Sequence, residues 1–326
     1  MLETISFPVC RQSMAEYESA GALLDECRSL GCDGIEAIWG GDDAIEALPK
    51  GIAVGYHLTF YPDWVDFFLG DRQALLQKFG SMEACRRFYG GENGDALICR
   101  YRADLARAAR VGARYVVVHL SDVSLEEGYT YRWRHSHQQV LEAGVRLINR
   151  MMEQTQYPFE LLIENQWWPG FTFTNPRETA FLIDHIAYPG KGIMLDIGHL
   201  MNTQRSLRTQ AQGAEYVERM LEAHGELCRY VRGIHLHQSL SGKYVERTLR
   251  RPSPKLSGDY AARYSQSYSH IVQIDRHQPW EDPAIGRVIR RAAPQYLTHE
   301  LAAPSRAARA AAVAGQKNTI RKAEAL

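Results

Sequence analysis

Eight short apolar runs, rich in β-branched residues and separated by helix-patterned segments, constrain this chain more than any other feature. They are Ile5–Val9, Gly34–Trp39, Ala53–Phe60, Tyr115–Leu120, Phe159–Glu164, Gly192–Ile197, Val231–His237 and Tyr296–Leu301. Continuous apolar runs of this length suit strands buried on both faces, as in a parallel sheet. Helical spacing fills the gaps at Met14–Leu30, Arg102–Val111, Gln138–Gln154, Pro176–Ile186, Gly213–Arg229 and Pro283–Ala293; Gly31 and Gly112 stop the first two. Such alternation makes right-handed βαβ units, and eight of them close a (β/α)₈ TIM barrel. A doubly wound open sheet is the competing architecture, but no G-x-G-x-x-G follows the first run. We expect one domain over residues 1–326, since no linker interrupts the pattern. The Ala-rich, basic C-terminal segment reads as the last barrel helix, fraying at its end.

Two insertions break the rhythm, one from about Tyr61 to Cys99 after strand 3, the other from about Ser239 to Ile274 after strand 7. Both leave the C-terminal ends of strands, where barrel enzymes build their sites. They read either as decoration and homo-oligomer contacts or as a substrate lid.

Charge excludes some classes of function. Lys+Arg and Asp+Glu each number 38, so the chain is neither a polycationic nucleic-acid coat nor a strongly acidic tail. The first residues lack a basic stretch followed by an apolar one, so no signal peptide is expected. No run of about 18 apolar residues suggests a membrane span. The six cysteines form no C-x-x-C pair, and Cys27 and Cys32 read as packing or exposed thiols. Together these point to the cytoplasm.

The chemistry gathers at strand ends. His57 ends the third run, His119 the fourth, Glu164 the fifth, Asp196 and His199 the sixth, and Glu300 the eighth; His235 and His237 lie on the seventh. In a closed barrel these ends converge on one mouth. Carboxylates from strands five, six and eight would repel one another there, and a divalent cation with an imidazole from strand seven resolves the conflict. Mixed Asp/Glu/His ligation fits zinc, manganese, iron or cobalt without choosing among them. His237 shares a strand face with His235 and reads as an extra ligand, a substrate donor or a hydrogen-bonded core histidine. His299 points to the opposite face from Glu300 and reads as structural. Trp64, Phe67, Phe68, Trp167, Trp168, Phe171 and Trp280 read as an aromatic rim for stacking a sugar or base, or as loop packing. Lys243, Arg247, Arg250, Arg251 and Lys255 read as a phosphate grip or a solvated loop.

The order His57, His119, Glu164, Asp196-x-x-His199, His235, Asp275-x-His277, Glu300 resembles the xylose isomerase-like TIM-barrel superfamily. That superfamily holds sugar isomerases and epimerases together with the endonuclease IV family. Resemblance to the tagatose/psicose epimerase-like branch implies one metal on Glu164, Asp196, His235 and Glu300. The two glutamates would be its catalytic acid/base pair and His199 would contact substrate; His237 and Trp168, from their own positions near the mouth, are further candidate substrate contacts. Resemblance to the endonuclease IV branch implies three metals on His57, His119, Glu164, Asp196, His199, His235, Asp275, His277 and Glu300. The sequence departs from both branches after His119, which is followed by Leu-Ser-Asp rather than Pro-Gly. After His277 it lacks the Gly-x-Gly typical of the family.

The resemblance thus implies an enzyme with one to three divalent ions. The leading expectation is a sugar or sugar-phosphate isomerase/epimerase that moves a proton next to a metal-polarised carbonyl, with a small carbohydrate as partner. An endonuclease IV-like multinuclear phosphodiesterase is the alternative. A nucleic-acid partner is disfavoured by neutral charge and by the acidic Gly40-Gly41-Asp42-Asp43 after strand two. A non-catalytic ligand-binding barrel is the third reading.

Overall fold

The computed structural model describes residues 1–153 and 156–324. Eight parallel strands close into a barrel in sequence order: β1 (Leu2–Val9), β2 (Gly34–Trp39), β3 (Ala53–His57), β4 (Tyr115–His119), β5 (Glu160–Glu164), β6 (Lys191–Asp196), β7 (Val231–Leu236) and β8 (Tyr296–His299). Every expected strand is present, within a few residues at its ends. β3 stops three residues short of the expected Phe60 because the chain leaves the ladder there. The N–H of Thr59 turns to the Asp104 carboxylate at 2.9 Å.

Side chains alternate between the barrel lumen and the helix layer. Val54, Tyr115, Val117, Leu162, Met194 and Tyr296 pack one apolar cluster low in the lumen. Gly55 faces Tyr115 so closely that a Cβ there would lie 2.2 Å from its ring. Outside the barrel a larger apolar core joins the strands to the helices.

Helices Asp95–Val111, His137–Met152, Pro176–His185, Gln210–His224 and Ile285–Ala292 follow the expected spacing, with shifted ends. Gln154, the expected end of one of them, lies outside the described residues, as do the last two residues of the chain. The expected helix Met14–Leu30 is broken into Arg11–Met14 and Ala20–Ser29, since Ser19 caps the second by accepting a hydrogen bond from the N–H of Ala22. Gly213–Arg229 likewise divides at Gly225, whose φ of 50° ends the α-helix before a 3₁₀ turn over Gly225–Tyr230. The C-terminal helix spans Arg306–Glu324. Among the described residues no helix is long and apolar enough to cross a membrane.

Both insertions are helical. Val65–Leu69, Arg72–Phe79 and Met82–Tyr89 follow β3, and Gly242–Leu249 and Tyr260–Ile274 follow β7. They pack on each other above the mouth. The Tyr260 hydroxyl donates to the buried Asp63 carboxylate, and its ring lies 4.4 Å from that of Phe79. Lys78 neutralises Asp63 and Asp66 at 2.5 and 2.8 Å. A short helix the sequence pattern did not reveal, Leu125–Thr130, lies beneath them after β4.

Candidate metal centre

Strand register brings the strand-end residues together. His119 of β4 lies beside Glu164 of β5, and Asp196 of β6 beside His235 of β7. The Asp-x-x-His spacing is that of a helix start. Asp196 caps helix Ile197–Asn202, its Oδ1 accepting from the N–H of His199 at 2.6 Å. That leaves Oδ2 free to face His235 and His237 at 3.7 and 2.9 Å. Gly198 permits the approach, since a Cβ there would fall 2.0 Å from the His237 ring.

Three groups of possible ligands result. In the first, Nε2 of His57 and of His119 face Glu164 Oε2 at 3.2 and 2.9 Å. His57 Nδ1 donates to the Leu58 carbonyl at 2.9 Å, which turns Nε2 toward the carboxylate. In the second, His235 Nδ1 lies 2.9 Å from Glu300 Oε2, 3.4 Å from Glu164 Oε2 and 3.7 Å from Asp196 Oδ2. In the third, Asp275 Oδ2 meets Nε2 of His199 at 3.2 Å and of His277 at 2.6 Å. The His237 ring stacks on His277, with centroids 4.1 Å apart and planes 2° from parallel. His277 holds this position with a left-handed φ of 47°. Glu164 belongs to both the first and second groups, and its other oxygen lies 3.0 Å from His199 Nδ1.

These groups suit cations. His235 Nδ1 and Glu300 Oε2, 2.9 Å apart but not aligned for a hydrogen bond, and His119 Nδ1 and Asp275 Oδ1 are all buried without a hydrogen-bond partner, an arrangement costly to leave unmet. Burial by itself would raise the carboxylates, yet the surrounding imidazoles pull Glu164 and Asp275 well below the usual range and Glu300 to about 2. Burial by itself would lower the imidazoles. Their carboxylate neighbours instead raise His57 to about 9 and His277 to about 10, and hold His199 and His235 well above the ordinary value. Among the imidazoles of these three groups only His119 is lowered, by burial. Protonated imidazoles therefore supply the positive charge when no ion does.

Metal loading must expel these protons, because ligands bind deprotonated. His57 and His277 keep their protons until pH passes about 9 and about 10, so affinity is expected to rise with pH throughout the neutral range. Each proton displaced adds about tenfold per pH unit. Zinc titration against a chelating dye from pH 6 to 8 measures this, and a flat profile would contradict it.

Sequence reasoning passed over Glu36. It is the one charged residue of β2 and is fully buried. It accepts hydrogen bonds from Tyr115 at 2.8 Å and Thr298 at 3.0 Å, and faces His235 Nε2 at 3.0 Å. A carboxylate behind an imidazole sets which nitrogen turns outward, here Nδ1. A lone glutamate inside an apolar strand was the available signal. Glu36→Ala is expected to weaken metal binding about 10- to 100-fold, with Glu36→Gln losing less. Equilibrium dialysis of both variants checks the order.

A mouth cavity of about 570 Å³ is lined by His57, His119, His199, Asp275, His277 and Glu300, together with Trp39 and Phe60. Glu164, Asp196, His235 and His237 lie beneath it and line neither this cavity nor the smaller one beside it. Trp168 lies beside the mouth, nearly parallel to Phe60. The expected aromatic rim is otherwise largely core. Trp64, Phe67, Phe171 and Trp280 are buried, and Trp280 holds the carbonyl of His237, just past β7, through its indole N–H. Lys243, Arg247, Arg250 and Arg251 gather with Glu246 around a separate surface pocket, and none lines the mouth.

A family model described as a xylose isomerase-like TIM barrel matches residues 24–289. Among solved structures, endonuclease IV from Thermus thermophilus is 15% identical, with a TM-score of 0.54 and coverage of 99% of this chain and 100% of that one. A D-tagatose 3-epimerase-like protein is 14% identical, with a TM-score of 0.56 and coverage of 100% and 99%. The IOLI protein, with a bound zinc atom, is 11% identical, with a TM-score of 0.54 and coverage of 99% and 98%. At these identities the likeness is one of fold. No curated protein matches the chain by sequence.

Proposed function

The chain belongs to the xylose isomerase-like TIM-barrel family, and from that premise we propose a multinuclear metal-dependent hydrolase of small phosphoesters. One observation carries this reading. Glu164 is fully buried, and its carboxylate is faced by His57, His119, His199 and His235. It has no open side from which to take a proton from substrate carbon, but it is well disposed to join two ions.

In this reading a first ion would be held by His57, His119 and Glu164, a second by Glu164, Asp196, His235 and Glu300, and a third by His199, Asp275 and His277. Three divalent ions would outweigh the four carboxylates of this set and attract a phosphate. Bound together, such ions activate water and stabilise a leaving oxygen. The protein's own share is to fix the ligands. Glu36 orients His235, the Leu58 carbonyl orients His57, and the Glu300 carbonyl orients His277, accepting from its Nδ1 at 3.1 Å. The mouth favours a small molecule over a duplex. Val123, Trp167, Trp168, Val245 and Ile274 form an apolar wall beside it where a nucleic-acid face would be basic.

One observation favours the second reading, a single-metal isomerase or epimerase. Glu300 lines the mouth with its side chain 14% exposed, so it has the access to substrate that Glu164 lacks. Metal content separates the two. Two or three ions per chain, with release of phosphate from small esters, support the hydrolase. One ion per chain, with exchange of solvent hydrogen into ketoses, would replace it with the isomerase.

A further inference from the structure

A second cavity, of about 200 Å³, adjoins the metal groups at His119, His199 and Asp275. Phe60, Trp167 and Trp168 wall it on the barrel side, Leu125 and Gly128 below the insertions, and Ile271 on the insertion helix. A cavity of about 150 Å³ with apolar walls suffices for benzene.

Four of the polar side chains around it are engaged elsewhere, whereas the indole N–H groups of Trp167 and Trp168, His119 Nδ1 and Asp275 Oδ1 are buried with no hydrogen-bond partner. Ser124 Oγ donates to Glu127 at 2.6 Å, and Ser267 Oγ to the Tyr264 carbonyl at 2.7 Å. His270 donates from Nε2 to the Gly128 carbonyl at 3.0 Å and accepts at Nδ1 from the Tyr244 hydroxyl at 2.8 Å. The Gln166 amide N–H₂ donates to Glu164 Oε1 at 3.4 Å and lies 2.9 Å from His199 Nδ1. Most of the wall is carbon, so a polyhydroxylated sugar would find partners for only a few of its hydroxyls and would bury the rest unmet. An aromatic ring asks for no such partners. The Phe60 and Trp168 rings offer it parallel faces, 7° apart in plane and 6.5 Å between centroids, near the outer limit of direct ring contact.

Gly128 supplies an independent observation. It is buried, yet a Cβ built on it meets no atom within 4 Å. Its φ is not in the left-handed region, so the backbone does not require glycine there. What the missing side chain preserves is empty space.

We propose that this cavity receives a flat aromatic ring of the substrate, carried next to the ester group that reaches the metal groups. The second half of that statement rests on the hydrolase reading. The first half stands on the cavity alone.

The test uses 1-naphthol as probe, followed by calorimetry on the metal-free and the metal-loaded protein. One probe should bind per chain in both forms. Gly128→Leu fills the space and should weaken binding at least tenfold while leaving metal content unchanged. Ile271→Phe fills it from the insertion helix and should act alike, which guards against a folding defect peculiar to either variant. With 1-naphthyl phosphate as substrate, both variants should raise KM more than they lower kcat. Absence of naphthol binding, or undiminished binding by both filled variants, would overturn the aromatic assignment. Naphthol binding that the filled variants abolish, without turnover of any phosphoester, would support the cavity and sink the hydrolase reading.

Discussion

Glu164→Gln is expected to strip metal from the two groups that share this residue and to abolish turnover with it. Glutamine keeps the shape and one oxygen donor, but it loses the charge that faces His57, His119 and His235. Loss of a partner outside the ligand shell already costs about 10- to 100-fold in affinity, so loss of a shared ligand should cost at least about 10²-fold. Elemental analysis after dialysis, alongside circular dichroism to establish that the barrel is intact, measures the effect. Full metal content with turnover gone would identify Glu164 as a proton carrier and overturn its role as a bridge.

Glu300→Gln separates the two chemistries. In the hydrolase reading Glu300 is a ligand of the second group only, so activity should track occupancy and excess metal should restore much of it. In the isomerase reading the carboxylate also moves a proton, and turnover should fall by about 10²–10⁴-fold whatever the metal concentration. Activity measured over a rising zinc or manganese series gives the answer, and a deficit that does not respond to metal counts against the hydrolase.

How much of this was legible in the sequence depends on the range over which each feature is determined. The eight strands were legible because burial on both faces demands unbroken apolar runs, and those runs are local. Helix ends were less so. The break at Ser19 and the stop at Gly225 depend on single caps that compete with an otherwise continuous helical pattern. The strand-end residues stood out because each interrupts an apolar run with a polar group. Glu36 does so too, but it lies mid-strand, and nothing local says that a histidine 199 residues later needs it.

The sequence by itself determined the barrel and the residues that would meet at its mouth, since eight βα repeats have one way to close and their strand ends then converge. The tertiary structure decided which partner each residue takes. Register set His119 against Glu164 and Asp196 against His235, and it sank Glu164 among imidazoles while leaving Glu300 at the cavity. It also sent Trp64 and Trp280 into the core but kept Trp168 beside the mouth, and it left the space at Gly128 unfilled. The physical reason is distance along the chain. Apolar periodicity is written in consecutive residues, but a pairing between groups a hundred or more residues apart exists only once strand register and side-chain direction are both fixed.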